Sequence, residues 1–195
     1  MSRRWKWRLG VYTLLIAALA GGSYYMLKKA ENRTGQPDVI YADTPQEAVD
    51  RMLVAARVTK DDVVYDLGCG DARFLVTAAK KYGCHCVGVD IDPKVVEKAR
   101  KNVADNGVEA LIEVRQGDMF DVDLRPATVL TMYLLPTLNV KMIPQLKQMR
   151  PGSRVVSYAF DMQGVRWDEK VTFRDSKKHE RTYYLWTTPL DIVER

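Results

Sequence analysis

The chain is poor in the residues that most often build metal sites, disulfide frameworks and acid–base centres. It has three cysteines and two histidines in 195 residues. An odd, small cysteine count does not make a disulfide framework. Cys84 and Cys86 flank His85, and in a strand positions 84 and 86 face one way and 85 the other, so the three do not converge on a metal. No metal site is expected, and the three cysteines read as buried thiols. A basic surface is also missing once the charge is divided. Residues 1–33 hold seven basic residues and one acidic, a net +6, whereas residues 34–195 hold 23 basic and 24 acidic, a net −1. The excess charge of +5 therefore belongs to the N-terminal segment, and the remainder carries no nucleic-acid footprint. A third glycine is missing as well: Gly68-Cys69-Gly70-Asp71-Ala72-Arg73 falls short of the Gly-x-Gly-x-x-Gly dinucleotide fingerprint.

What is present organises the chain around Asp62–Asp71. A β-rich run, Val63-Val64-Tyr65, ends in Asp66, followed by the two-glycine loop and then a helical pattern with Phe74, Leu75, Ala78, Ala79 and Tyr82 on one side. Strand, glycine loop and helix open a βαβ unit that binds a nucleotide-like cofactor. Asp66 and Asp71 bracket the loop. Carboxylates repel a pyrophosphate and attract a cation, so the loop favours S-adenosylmethionine (SAM), with its ammonium and sulfonium, over NAD.

Two further strands end in acids. Cys86–Asp90 places Asp90 twenty residues beyond Gly70, the position of a carboxylate that takes ribose hydroxyls. Asp92 caps the next helix with Pro93 at its first position, which leaves Asp90 for a ligand; Gly107 closes that helix. Leu111–Arg115 is followed by Gly117-Asp118-Met119, where Asp118 can accept from an adenine amino group and the Met119 backbone can meet the ring edge. The fourth strand, Ala127–Met132, leads to Tyr133-Leu134-Leu135-Pro136 beside the expected position of the reacting methyl. A helical pattern follows, interrupted at Pro144; a strand spans Ser153–Tyr158, and Lys170–Arg174 with Arg181–Thr187 form a hairpin. Upstream, Thr44 reads as an N-cap, Pro45 as the first helical residue and Glu47 as the closing member of a capping box.

Residues 9–27 carry no charge. As a helix they would reach about 28 Å, close to a bilayer core. Trp5, Trp7, Tyr24 and Tyr25 sit where interfacial aromatics belong, with basic residues at both ends. This reads as an uncleaved membrane anchor over residues 1–29, then a linker at 30–40 and one domain at 41–195. A cleaved signal peptide ending at Ala18-Leu19-Ala20 and a mitochondrial presequence are the rival readings. Flanking charges lean slightly to an N-terminus inside; the supply of SAM argues for the domain on the cytoplasmic side of a single-pass protein.

Asp66-Leu67-Gly68-Cys69-Gly70-Asp71, Val89-Asp90-Ile91-Asp92 and Gly117-Asp118-Met119 together resemble the cofactor motifs of class I SAM-dependent methyltransferases, over roughly residues 40–188. Ala72 stands where many relatives have glycine. Tyr41-Ala42-Asp43-Thr44-Pro45 with Tyr133-Leu134-Leu135-Pro136 is similar to small bacterial methyltransferases, and through them to membrane-anchored mitochondrial protein-lysine methyltransferases that act on carriers and ATP synthase c subunits. The resemblance implies an α/β, Rossmann-like seven-stranded sheet with helices on both faces and an antiparallel last strand, preceded here by one transmembrane helix. It implies SAM bound by Tyr41, Asp66, Gly68, Gly70, Asp90, Ile91, Asp118 and Met119, with Tyr133 and Thr44 lining the reacting end. A protein-lysine acceptor at a membrane is the expected substrate; a small molecule or lipid as acceptor, and a non-catalytic SAM-binding module, are the alternatives.

Overall fold

The computed structural model describes residues 43–193, all within one compact unit. The expected anchor, the linker and Tyr41 lie outside the described residues. Seven strands form one sheet: β1 (Val63–Leu67), β2 (His85–Asp90), β3 (Ile112–Gln116), β4 (Val129–Met132), β5 (Arg154–Tyr158), β7 (Glu169–Arg174) and β8 (Glu180–Thr187), in the order β3-β2-β1-β4-β5-β8-β7. Strands β1 to β5 are mutually parallel, and β8 inserts antiparallel between β5 and β7. This is the Rossmann-like seven-stranded sheet expected from the strand count. A small antiparallel pair, β6 (Val165–Arg166) with β9 (Asp191–Ile192), has no counterpart in the sequence reading.

Alternation along each strand feeds two cores. Val64, Cys86, Val129 and Val156 face helices α1 (Gln46–Ala55), α2 (Arg73–Tyr82) and α3 (Pro93–Asp105). Tyr65, Leu67, Val89, Leu130 and Met132 face the other way, against Leu138, Met142 and Leu146 of α4 (Pro136–Leu146). Cys84 and Cys86 share the first face, their sulfurs 3.8 Å apart and buried. Among the described residues, no group of three or more His, Cys, Asp or Glu is placed to hold a metal, and no helix is long and apolar enough to cross a membrane.

Two local expectations are overturned. Thr44 does not cap α1. The helix begins at Gln46 after an extended Pro45 (ψ 141°), with no side-chain cap. Thr44 instead gives its carbonyl to Arg73 Nη1 at 2.9 Å, and Glu47 turns to Arg51 and to the Ser176 amide at 3.0 Å. Pro144 does not interrupt α4, which runs through it to Leu146. Its ring is exposed, so the Val140 carbonyl that loses a donor lies on the solvent side, where water can serve it.

The amino ends of the strands are locked by a buried carboxylate. Asp62 Oδ1 accepts from Thr128 Oγ1 at 2.6 Å and Arg154 Nη2 at 2.8 Å, and Oδ2 from the Thr59 amide at 2.7 Å. Burial works against its charge, but these bonds outweigh that and hold the carboxyl below its usual range.

At the opposite end, Gly88 in β2 lets α2 and the glycine loop close onto the sheet. A Cβ there would lie 2.5 Å from Leu75 Cδ1, 2.9 Å from Cys69 Sγ and 3.0 Å from Cys69 Cβ. Leu75 can rotate away, but Cys69 is fixed by the loop. Gly88→Ala is therefore expected to cost about 1–3 kcal/mol in urea unfolding. It should also weaken SAM binding in calorimetry by displacing the loop.

Candidate functional site

The parallel strands bring their carboxyl ends to one edge, and the glycine loop sits at the centre of it. Gly68 and Gly70 adopt positive φ, 72° and 56°. The Gly68 and Cys69 amides both donate to the Val89 carbonyl, at 2.9 and 3.1 Å, which stitches the loop to the end of β2. Ala72 is also left-handed, φ 63°, and fully buried. The resemblance to a glycine position thus has a physical basis, and alanine accepts the conformation with a modest steric cost.

Asp66 lies under the loop, 4% exposed. Its carboxylate accepts a hydrogen bond from Thr131 Oγ1, at 2.8 Å. Burial pushes its carboxyl up to about 7; the Thr131 bond opposes the rise, and the charges of Asp90 and Asp71 add to it. Asp90 is half-buried. Its Oδ2 accepts from the Gly70 amide at 3.2 Å and its Oδ1 from the Asp92 amide at 3.1 Å. Burial raises its carboxyl as well, against those two bonds. Asp92 does cap α3, as expected, accepting from the Lys94 amide at 2.8 Å, but Asp90 is not wholly free for a ligand. It bridges the glycine loop to the next loop and keeps further lone pairs for a ligand.

Asp71 departs from the expectation that both loop acids face a cation. Arg73 grips it with Nε at 2.8 Å and Nη2 at 2.7 Å, and reaches Asp43 with Nη2 at 2.8 Å. Although burial disfavours its charge, these Arg73 bonds hold the Asp71 carboxyl below its usual range. Arg73 had not been singled out. A cation at the first turn of a helix opposes the helix dipole, which is the signal that it must have carboxylate partners. The same guanidinium joins Thr44 to the loop, through the Thr44 carbonyl.

Asp118 is exposed and accepts from the Phe120 amide at 2.9 Å, capping a short turn, Met119–Asp121. One of its oxygens is thus used locally, and the other is left open. Met119 and Ile91 are half-buried beside it at the ends of β3 and β2. Tyr133 follows β4, half-buried. The next residue, Leu134, packs 3.6 Å from the space above Gly68. The edge therefore unites Asp66, Gly68, Gly70 and Asp90 at its centre, Ile91, Asp118 and Met119 on the β3 side, and Tyr133 on the β4 side. Thr131 was also missed. A lone hydroxyl in Val129-Leu130-Thr131-Met132 was its sequence signal.

The donor set fits a cationic adenosine derivative. Arg73, the cation at the start of α2, is already taken by Asp71 and Asp43, while among the described residues Asp66 faces no countercharge. Residues 66–169 match the family of the ANTKMT methyltransferase domain. This chain belongs to that family. It is 41% identical over 149 residues to a protein-lysine N-methyltransferase of Saccharolobus islandicus, covering 75% of this chain and 92% of that one. It is also similar to the crystal structure of an RNA methyltransferase from Salinibacter ruber in complex with S-adenosyl-L-homocysteine (SAH). That likeness has 47% identity and a TM-score of 0.72, over 79% of this chain and 98% of that one. A ribosomal protein L11 methyltransferase of Alkaliphilus oremlandii shares 32% over 119 residues, 37% of its own length. The chain is a SAM-dependent methyltransferase of class I, and SAM is its cofactor.

The Asp66 shift has a measurable consequence. Its folded-state value near 7 lies above the unfolded value near 3.8. Its contribution to stability is thus fully present below about 3.8 and is lost as pH rises through 7. A bound cation reverses that preference by favouring the carboxylate. SAM affinity is therefore expected to rise between pH 6 and 8, with proton release visible in calorimetry across buffers of different ionisation enthalpy. Asp66→Asn should remove that component; an unchanged pH profile in the variant would contradict it.

Proposed function

We propose that this enzyme transfers the methyl group to the side-chain amine of lysine in a protein substrate, at a membrane to which its N-terminal segment attaches it. The observation that carries the reading is the 41% identity with a protein-lysine N-methyltransferase across nearly all of that protein's length. When bound, SAM supplies a methyl group on a sulfonium sulfur, open to direct displacement.

The residues have distinct parts in this reading. Asp90 takes the ribose hydroxyls on the lone pairs left by Gly70 and Asp92. Gly68 and Gly70 let the backbone approach closely, and Asp66 supplies negative charge from below. Ile91, Asp118 and Met119 hold the adenine, and Tyr41, Thr44 and Tyr133 border the reacting end. Displacement by an amine needs alignment and exclusion of water more than a protein base. That agrees with the positions of the two histidines. His85 begins β2 at the far edge of the sheet, and His179 is exposed in the turn between β7 and β8.

The membrane part of the reading rests on the uncharged run 9–27 with its aromatic and basic flanks. Residues 1–29 are the anchor, 30–40 the linker and 41–195 the catalytic domain, which faces the cytoplasm, where SAM is made. The name of the Salinibacter ruber relative favours a second acceptor, RNA. The near-neutral balance of residues 34–195 weighs against it.

Incubation of the full-length protein with methyl-labelled SAM, a membrane extract and total RNA separates the acceptors. Label on protein that yields methylated lysine on acid hydrolysis is the expected outcome. Label confined to RNA, lipid or small molecules would contradict the reading.

A further inference from the structure

An aromatic cluster stands at the carboxyl ends of β4 and β5, beyond the residues assigned to the cofactor. Tyr133 meets Tyr158 edge to face at 4.9 Å and 86°, and stacks with Phe160 at 6.2 Å and 28°. Tyr158 is buried, while Tyr133 and Phe160 are half-buried. Because β4 neighbours β1, the cluster adjoins the glycine loop.

The chain fixes Phe160 with care. Ala159 takes a left-handed conformation, φ 64°, as the chain leaves β5. Asn139, fully buried on α4, donates from Nδ2 to Ser157 Oγ at 3.2 Å, the Phe160 carbonyl at 3.3 Å and the Asp161 carbonyl at 2.9 Å. Its Oδ1 is buried with no hydrogen-bond partner. A buried amide with an unspent acceptor is costly. Here it holds the loop that presents Phe160.

Other aromatic faces in the molecule already hold cations. Arg51 lies 4.5 Å over Phe173, Lys170 5.6 Å over Tyr184 and Lys141 6.0 Å over Phe120. Among the described residues, no lysine or arginine covers Tyr133 or Phe160. An aromatic face attracts an ammonium, and more strongly when water is displaced.

We propose that Tyr133 and Phe160 form an ammonium-binding wall on the acceptor side of the site, positioned by Asn139, whose ligand is the alkylammonium head of the acceptor and of its methylated product. This rests on the lysine reading for the identity of the acceptor, but the wall itself is tested without it. Choline and its neutral carbon isostere, 3,3-dimethylbutan-1-ol, have the same shape and differ in charge. Full-length protein in detergent micelles, loaded with SAH, is titrated with each and followed by NMR.

Choline is expected to bind about five times more tightly than the isostere. Phe160→Leu should remove that preference and Phe160→Tyr should retain it, with SAM affinity unchanged in both. Equal binding of the pair by the wild-type protein would overturn the wall, and this comparison needs no variant. So would a preference that survives Phe160→Leu. A cation preference without methyllysine formation would support the wall while removing the lysine reading; methyllysine formation without a cation preference would remove only the wall.

Discussion

The structure turns on negative charge that, among the described residues, no cation neutralises. Three other buried or half-buried carboxylates have guanidinium partners: Asp62 has Arg154, Asp71 has Arg73, and Asp175 has Arg181 at 2.9 Å. Asp66 has a hydroxyl, and Asp90 has two backbone amides. Burial, with like-charged neighbours adding to it, holds the Asp66 carboxyl near 7, a state disfavoured for ionisation until a cation arrives. A site of this kind repels phosphate and selects a sulfonium-bearing adenosine derivative.

The rest of the fold delivers that charge to one place. Five parallel strands align their carboxyl ends, so acids separated by more than twenty residues in sequence become neighbours in space. Gly88 removes the side chain that would hold α2 and Cys69 away from the sheet. The Asp62–Arg154 network secures the opposite edge, and there the paired charges are locked in place rather than left open. Arg73 serves both regions of the cofactor edge. It quiets Asp71, and it fastens the chain entering α1 to the glycine loop.

Much of this was legible in the sequence, because period and punctuation are local. The seven strands of the sheet were placed to within two residues, and the acids after β1, β2 and β3 pointed to the cofactor. What failed was decided by distant partners. Thr44 and Glu47 have capping-box spacing, yet Arg73, twenty-nine residues on, and the Ser176 amide claim them. Pro144 breaks a helix on paper, but its exposed face lets the helix continue. Asp71 looked equivalent to Asp66 until Arg73 paired with it. The stacking of Phe160 on Tyr133 depends on a buried asparagine from another element, which no local pattern reveals.

The central claim is that carboxylate charge at the ends of β1 and β2 binds the cofactor. Calorimetric titration of the full-length protein with SAM, compared with Asp90→Asn, tests it most directly. The asparagine keeps an acceptor for one of the two backbone amides and removes the charge. The account predicts affinity at least about tenfold weaker, the scale of a lost hydrogen bond to a charged group, in a variant whose circular dichroism shows it folded. Unchanged affinity in the variant would contradict it.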